Sequence, residues 1–360
     1  MKARRIKVWQ RATGPRMTDS RTPINRTPNQ KMERLAPDPA QRGEFDLIAR
    51  LLAPLTGGDE RALGLLDDAA VIPQTSGIDT VVSTDTLVAG VHFLMIEPAD
   101  VIARRLLRVN LSDIAAMGAD PFAYFLNLSL PTGIGDDWLE AFVAGLRTDQ
   151  EAFGLNLLGG DTTRTPGPLE LSVTIFGEAP TGHTVRRSGA QSGDLVFVSG
   201  TIGDAGLGLP RLRDGAGAGD PLVKRYQLPD PRVSLGMSLR DIASAMADVS
   251  DGLLADLGHI CAASAVGATI ELSSVPVSDA ARSVIGDDEN DNREILTSGD
   301  DYELVFTVPP ERADAAGKAA DAAGTPISAI GRVGGGDGGV TVRGGDGHNI
   351  PPGKTGYRHF

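Results

Sequence analysis

The alternation of strand and helix patterns along this chain predicts a mixed α/β fold with mixed sheets, built as two domains over residues 43–187 and 188–360. Three observations point there. Short β-branched or alternating runs recur between longer segments of helical apolar period. The 360 residues hold two domains of ordinary size, and 45 glycines beside 4% aromatics suit many tight turns. The pattern also changes near Ser188, where a new strand–turn–helix series begins.

Residues 1–42 are rich in Arg, Pro, Thr, Asn and Gln without hydrophobic periodicity and read as a disordered basic tail. Order begins with a short amphipathic helix over 43–52, then a loop running into a strand over 64–72. Residues 80–88 are β-branched and strand-like. A helical pattern follows from Ala99 to Gly118. At about 3.6 residues per turn, Ile102, Leu106, Val109 and Met117 share one arc, widened by Leu107, Leu111 and Ile114. Arg104, Arg105, Arg108 and Ser112 take the opposite side, and Asp113 lands inside the apolar arc. A buried carboxylate is costly unless a cation or hydrogen-bond donors meet it, and no Lys or Arg of this helix points its way. Residues 122–130 and 169–176 read as strands, 138–153 as a helix, and 155–163 as a segment ending in Gly159-Gly-Asp-Thr-Thr163.

Beyond the boundary, 193–200 reads as a strand entering a tight turn at 201–209, and 214–220 as a flexible loop. A helix opens at Asp251, with Ser or Asp available at its start and apolar residues at 253, 254, 257, 260 and 261. Later strands are expected at 268–272, 303–308 and 339–342, with a Gly-rich hairpin or loop over 334–347.

Charge is unevenly spread. Residues 1–42 carry 11 Lys/Arg against 3 Asp/Glu, whereas 43–360 carry 23 against 44, a net of −21. So acidic a body repels nucleic-acid backbones and bare phosphates alike, and an anionic substrate requires intervening cations. No apolar run approaches the roughly 18–20 residues that span a bilayer. The single cysteine, Cys261, excludes an internal disulfide framework and a cysteine zinc site. The expectation is a cytoplasmic protein that binds neither nucleic acid nor membrane.

Two glycine motifs fail on inspection. Pro352-Gly-Lys-Thr355 resembles the end of a P-loop, but His348 stands where its first glycine belongs. The 200–208 run lacks the dinucleotide-binding register. His259 and Cys261 fall within a helix and read as structural, while His92 fits a substrate contact and a turn histidine equally well. The unusual feature is a set of aspartates at element ends: Asp67 and Asp68, Asp85 after Ser83-Thr84, Asp161, Asp248 and Asp251 around Ser250, and Asp300 with Asp301. Any one is ordinary loop or cap chemistry. Together with Asp113 they suit a hard divalent ion such as Mg²⁺, held by a few carboxylates plus substrate phosphates.

Taken in order, these segments resemble the thiamine-monophosphate kinase family, within the superfamily of aminoimidazole ribonucleotide synthetase. The matching stretches include Ser83-Thr-Asp-Thr-Leu-Val-x-Gly-Val-His92-Phe, Asn110-Leu-Ser-Asp-Ile-Ala-Ala-Met-Gly-Ala119, Gly159-Gly-Asp-Thr-Thr163, Arg187-Ser-Gly, Asp248-Val-Ser-Asp-Gly252 and Ser298-Gly-Asp-Asp-Tyr-Glu-Leu304. They cover the chain from about Gly43 onward. The resemblance implies two α/β domains, with N-terminal sheets pairing across a homodimer. It implies direct, Mg²⁺-assisted phosphoryl transfer from ATP to thiamine monophosphate, giving thiamine diphosphate. Asp68, Ser83, Thr84, Asp85, Asp113, Asp161, Asp248 and Asp251 would hold several Mg²⁺ ions. Gly160, Asp161, Arg187 and Ser250 would contact ATP, and His92, Asp300 and Tyr357 the thiamine phosphate. Asp113, Asp161 and Arg187 would carry the catalysis. The family often has Glu at the position of Asp300 and Trp at that of Tyr357. The alternatives are a purine-pathway synthetase of the same superfamily and a non-catalytic protein binding thiamine phosphate or divalent ions.

Overall fold

Strands that alternate between a buried and an outward-facing side build the first sheet. In the computed structural model, which describes residues 47–66, 69–286, 294–336, 338–351 and 356, these are β1 (Ile78–Val88), β2 (Asp120–Leu130), β3 (Asn156–Arg164) and β4 (Glu170–Pro180). Along β4 Leu171, Val173, Ile175 and Ala179 are buried while Ser172, Thr174 and Glu178 face away from them. The strand order is β1-β4-β2-β3, antiparallel except for the parallel β2–β3 pair. Parallel neighbours need a crossover, here the helix Asp136–Phe153. That helix (α2) and the preceding one, α1 (Ala99–Ala116), join the sheet's inner face in one apolar core. The strands expected at 80–88, 122–130 and 169–176 and both helices are present. Ile48–Leu52 forms a wide helical turn running into the 3₁₀ turn Ala53–Thr56.

The rest of the chain builds a second sheet. Its elements are β5 (Leu195–Ser199), α3 (Asp204–Arg213), α4 (Pro221–Gln227), α5 (Val233–Ser238), β6 (Ala245–Asp248), α6 (Leu253–Ser264), β7 (Gly267–Glu271), α7 (Asp279–Arg282), β8 (Leu304–Val308), α8 (Ala313–Ala323), β9 (Ile327–Gly334), β10 (Val340–Arg343) and β11 (Asn349–Ile350). The order is β11-β10-β7-β9-β5-β8-β6, with β7–β10 parallel and the other pairs antiparallel. Both faces are covered. Val196, Val198 and Val305 pack beneath α6, while Phe197 and Phe306 stack at 5.6 Å on the other face. That second layer also takes in Ala115 and Ala116 from the end of α1.

Two expectations change: the described residues of 64–72 form no strand, their first two ending the 3₁₀ turns of Glu60–Leu65, and the turn expected at 201–209 is largely helical. A Cβ on Gly208 would come within 2.1 Å of the Leu222 carbonyl, so its lack of a side chain lets α3 lie against the next helix. The side of α1 opposite its apolar arc is covered as well: Arg105 is 2% exposed and Ser112 fully buried, because both meet the second half of the chain. Residues 1–46, Asp67, Asp68 and Tyr357 lie outside the described residues.

Candidate active site

Helix α1 carries the site because its side chains reach three neighbours at once. Ser83 Oγ on β1 donates to Asp113 Oδ2 at 2.5 Å. Asn110 Oδ1 accepts from the Asp85 amide at 3.1 Å, while its own amide is held by the Leu106 carbonyl. Ser112 Oγ donates to Asp248 Oδ2 at 2.9 Å, at the end of β6. Alternation on β1 turns Ser83 and Asp85 toward the helix. Thr84 points to the opposite face, where its hydroxyl donates to the Val173 carbonyl at 3.0 Å.

Two clefts open on this helix. One, of about 490 Å³, is lined by Asp85, His92, Asp113, Asp248, Ser250, Asp251, Asp300 and Tyr302. The other, of about 470 Å³, is lined by Ser83, Asp113, Arg186, Arg187, Met246 and Asp248. Among the described residues, Asp113 and Asp248 alone are common to both linings.

Asp85, in the first cleft, crowds the two carboxylates of this common wall. Burial pushes Asp85 up to about 6, and the Asp113 charge adds to it. Asp113 is raised by burial, against the pull of the Ser83 hydrogen bond and of Arg187. Asp248 is driven well above the ordinary carboxylate range by burial and then by Asp113. Such a group asks for a cation. Its donors are oxygens throughout, which fits hard divalent ions such as Mg²⁺. Beside it, Asp256 Oδ2 accepts from the amides of Ser250, Asp251 and Gly252 and so shapes the loop presenting Asp251. Asp251, Asp256 and His259 bring ligand atoms within 4.8 Å of one another, so His259, read from sequence as structural, stands beside the site.

His92 and Asp300 both line the first cleft. The Val88 amide donates to His92 Nδ1 at 3.0 Å, so a neutral ring carries its proton on Nε2. Asp300 accepts from Arg105 Nη2 at 2.8 Å. A Cβ on Gly356 would come within 2.7 Å of the Asp251 carbonyl, so the chain next to Tyr357 returns to this loop.

Asp161 requires a correction. It was expected beside Asp113, but the sheet order puts β1 and β3 at opposite edges. Thr86, Ser172, Asn127 and Asp161 form one cross-strand row on the outer face. Three strand spacings separate its ends by roughly 14 Å, whereas two ligands of one Mg²⁺ lie within about 4 Å of each other. Within one protomer Asp161 therefore shares no ion with Asp85 or Asp113. Gly160 and Asp161 line a third cleft, of about 610 Å³, together with Leu66 and Ala69, which flank Asp67 and Asp68. Gly160 also has a packing role, because a Cβ there would overlap the Leu126 carbonyl.

Sequence reasoning missed Arg105, Ser112 and Tyr226. The signal for the first two was on the wheel: polar residues gathered on the side opposite the apolar arc.

The chain matches the family described as AIR synthase related protein, N-terminal domain, over residues 66–179, and the corresponding C-terminal domain over 191–343. It is 46% identical to the thiamine-monophosphate kinase of Caulobacter vibrioides over 331 residues, 90% of this chain and 93% of that one. The chain belongs to the thiamine-monophosphate kinase family. The crystal structure of thiamine-monophosphate kinase from Stenotrophomonas maltophilia K279a is similar to it with a TM-score of 0.76 and 44% identity, covering 85% of this chain and 98% of that one. A structure described as AaThiL complexed with AMPPCP and TMP gives 0.71 and 31% identity over 88% of this chain and 97% of that one. Family membership agrees with the mixed α/β architecture seen here. Among the described residues no helix is long and apolar enough to cross a membrane.

Proposed function

We propose that this chain transfers the γ-phosphoryl group of ATP directly to thiamine monophosphate, releasing thiamine diphosphate. The observation that carries the reading is the pair of clefts meeting at Asp113 and Asp248, one holding Arg187 and the other His92 and Asp300. Relatives named thiamine-monophosphate kinase support the substrate. In this reading ATP phosphates lie toward Arg187 and Ser250, and the acceptor toward His92 and Asp300. Two anions must approach inside a strongly acidic body. Divalent ions on Ser83, Asp85, Asp113, Asp248 and Asp251 would neutralise the phosphates and hold them in line. Arg187 adds a fixed positive charge beside Asp113. A phosphomonoester's second pKa is about 6, so the attacking oxygen is ionised at neutral pH and the site needs no strong general base. The roles of Asp68 and Tyr357, outside the described residues, rest on the resemblance alone.

We further propose a homodimer closed through the first sheet. Its outer face carries Val82, 54% exposed, and Phe125 packed 5.6 Å from Phe176. Its free edges carry Asp85 and Asp161. Setting the β1 edge of one copy beside the β3 edge of the other would bring the partner subunit's Asp161, with its glycine neighbour, to the Asp85 end of the site. The N-terminal, nucleotide- and ion-binding domain then spans 43–187 and the second domain 188–360, in a cytoplasmic enzyme. The test is purified protein with Mg-ATP and thiamine monophosphate: thiamine diphosphate is the expected product. No product, combined with turnover of a purine precursor, overturns the assignment.

A further inference from the structure

Arg105 is the largest fully buried side chain of the described residues, and its hydrogen bonds go to Tyr226 and Asp300. Its guanidinium lies 4.2 Å above the Tyr226 ring, donates through Nη1 to the Tyr226 carbonyl and through Nη2 to Asp300 Oδ1 at 2.8 Å. Tyr226 in turn donates its hydroxyl to the His92 carbonyl at 3.2 Å. One cation thus ties together the two sides of the acceptor cleft, His92 on the loop after β1 and Asp300 on the loop before β8. The Asp300 loop is in an unfavourable backbone conformation. Asp300 has φ of +71° and Tyr302 of +50°, the left-handed region that side-chain-bearing residues rarely adopt. Both Arg105 and the Tyr302 hydroxyl bond Oδ1 of Asp300, which leaves Oδ2 for a ligand.

Stability alone is a poor reason for this arrangement. Arg105 Nε is buried without a hydrogen-bond partner among the described residues. A buried ion pair gains little over apolar packing of the same volume. Arg is moreover permanently charged and planar, so it fixes direction as well as distance.

We propose that Arg105 is a positioning residue for the phosphoryl acceptor, holding Asp300 and, through Tyr226, His92 at one spacing across the cleft. The inference rests on the kinase reading above. Because Arg105 and Asp113 share helix α1, the acceptor is indexed to the same rigid element as the ion-binding carboxylates.

Steady-state kinetics of Arg105→Met, Arg105→Lys and Tyr226→Phe, varying each substrate separately, test it. Arg105→Met should raise KM for thiamine monophosphate about tenfold or more while leaving KM for ATP within about twofold. Arg105→Lys, which keeps the charge on Asp300, should recover part of that loss. Tyr226→Phe keeps the ring under the guanidinium but removes the hydrogen bond to the His92 carbonyl, and should raise the acceptor KM by a few fold at unchanged melting temperature. If Arg105→Met does not fold, the other two variants carry the same comparison. A wild-type acceptor KM in Arg105→Lys and Tyr226→Phe, or equal losses toward both substrates, overturns the inference. Wild-type protein that makes no thiamine diphosphate overturns the functional reading, and this inference with it.

Discussion

Ser83 Oγ lies 2.5 Å from Asp113 Oδ2, joining the edge strand β1 of the first sheet to helix α1. This bond fixes one Asp113 oxygen and leaves the carboxylate facing the wall common to both clefts. Asp113→Asn should cut turnover by about a hundredfold or more with little change in melting temperature, since the amide keeps the shape but loses the charge a divalent ion requires. Ser83→Ala should act more mildly, weakening apparent Mg²⁺ affinity by roughly tenfold. Wild-type rates in Asp113→Asn at ordinary Mg²⁺ would refute the ligand role.

The position of Asp161 makes a different prediction. If each site draws Asp113 from one subunit and Asp161 from the other, the two inactive variants Asp113→Asn and Asp161→Asn should complement. Half the dimers from balanced co-expression are mixed, and each has one intact site, so about a quarter of wild-type activity should return. No recovery in dimers shown to be mixed would confine the site to one subunit.

Proton and metal compete for the same oxygens. Asp85 rises from the ordinary value of 3.8 to about 6 on folding, and Asp113 and Asp248 shift the same way. A carboxylic acid raised on folding stabilises the folded state below its unfolded value, and that contribution is lost as pH rises through the folded value. Without metal, this group therefore weakens the fold between about pH 4 and pH 7. Mg²⁺ binds the ionised form, so it should raise the melting temperature by at least roughly 3 °C more at about pH 7.5 than at about pH 5. An equal shift at the two values would show that these carboxylates do not bind the ion.

Much of this site is legible in local pattern. The 3.6-residue period put Asp113 on the buried side of its helix, and strand alternation put Ser83 and Asp85 on one face. A period, however, says which side chains share a face and not what covers it. The wheel gave Ser112 and Arg105 no partner because the segments that meet them are more than a hundred residues away, at Asp248 and Asp300. Strand order is equally absent from local sequence: Asp85 and Asp161 belong to one family motif series, yet β4 and β2 stand between them. The helix at 204–213 was hidden for a related reason, since its glycines answer to residues contributed from elsewhere in the chain.

The central claim is that two phosphates meet at Asp113 and Asp248 and exchange the phosphoryl group without an enzyme-bound intermediate. ATP carrying an isotopically chiral γ-phosphate reads this directly, because one in-line displacement inverts the phosphorus and two restore it. The structure, with no nucleophile assigned between the clefts, predicts inversion in the thiamine diphosphate formed. Net retention would contradict it.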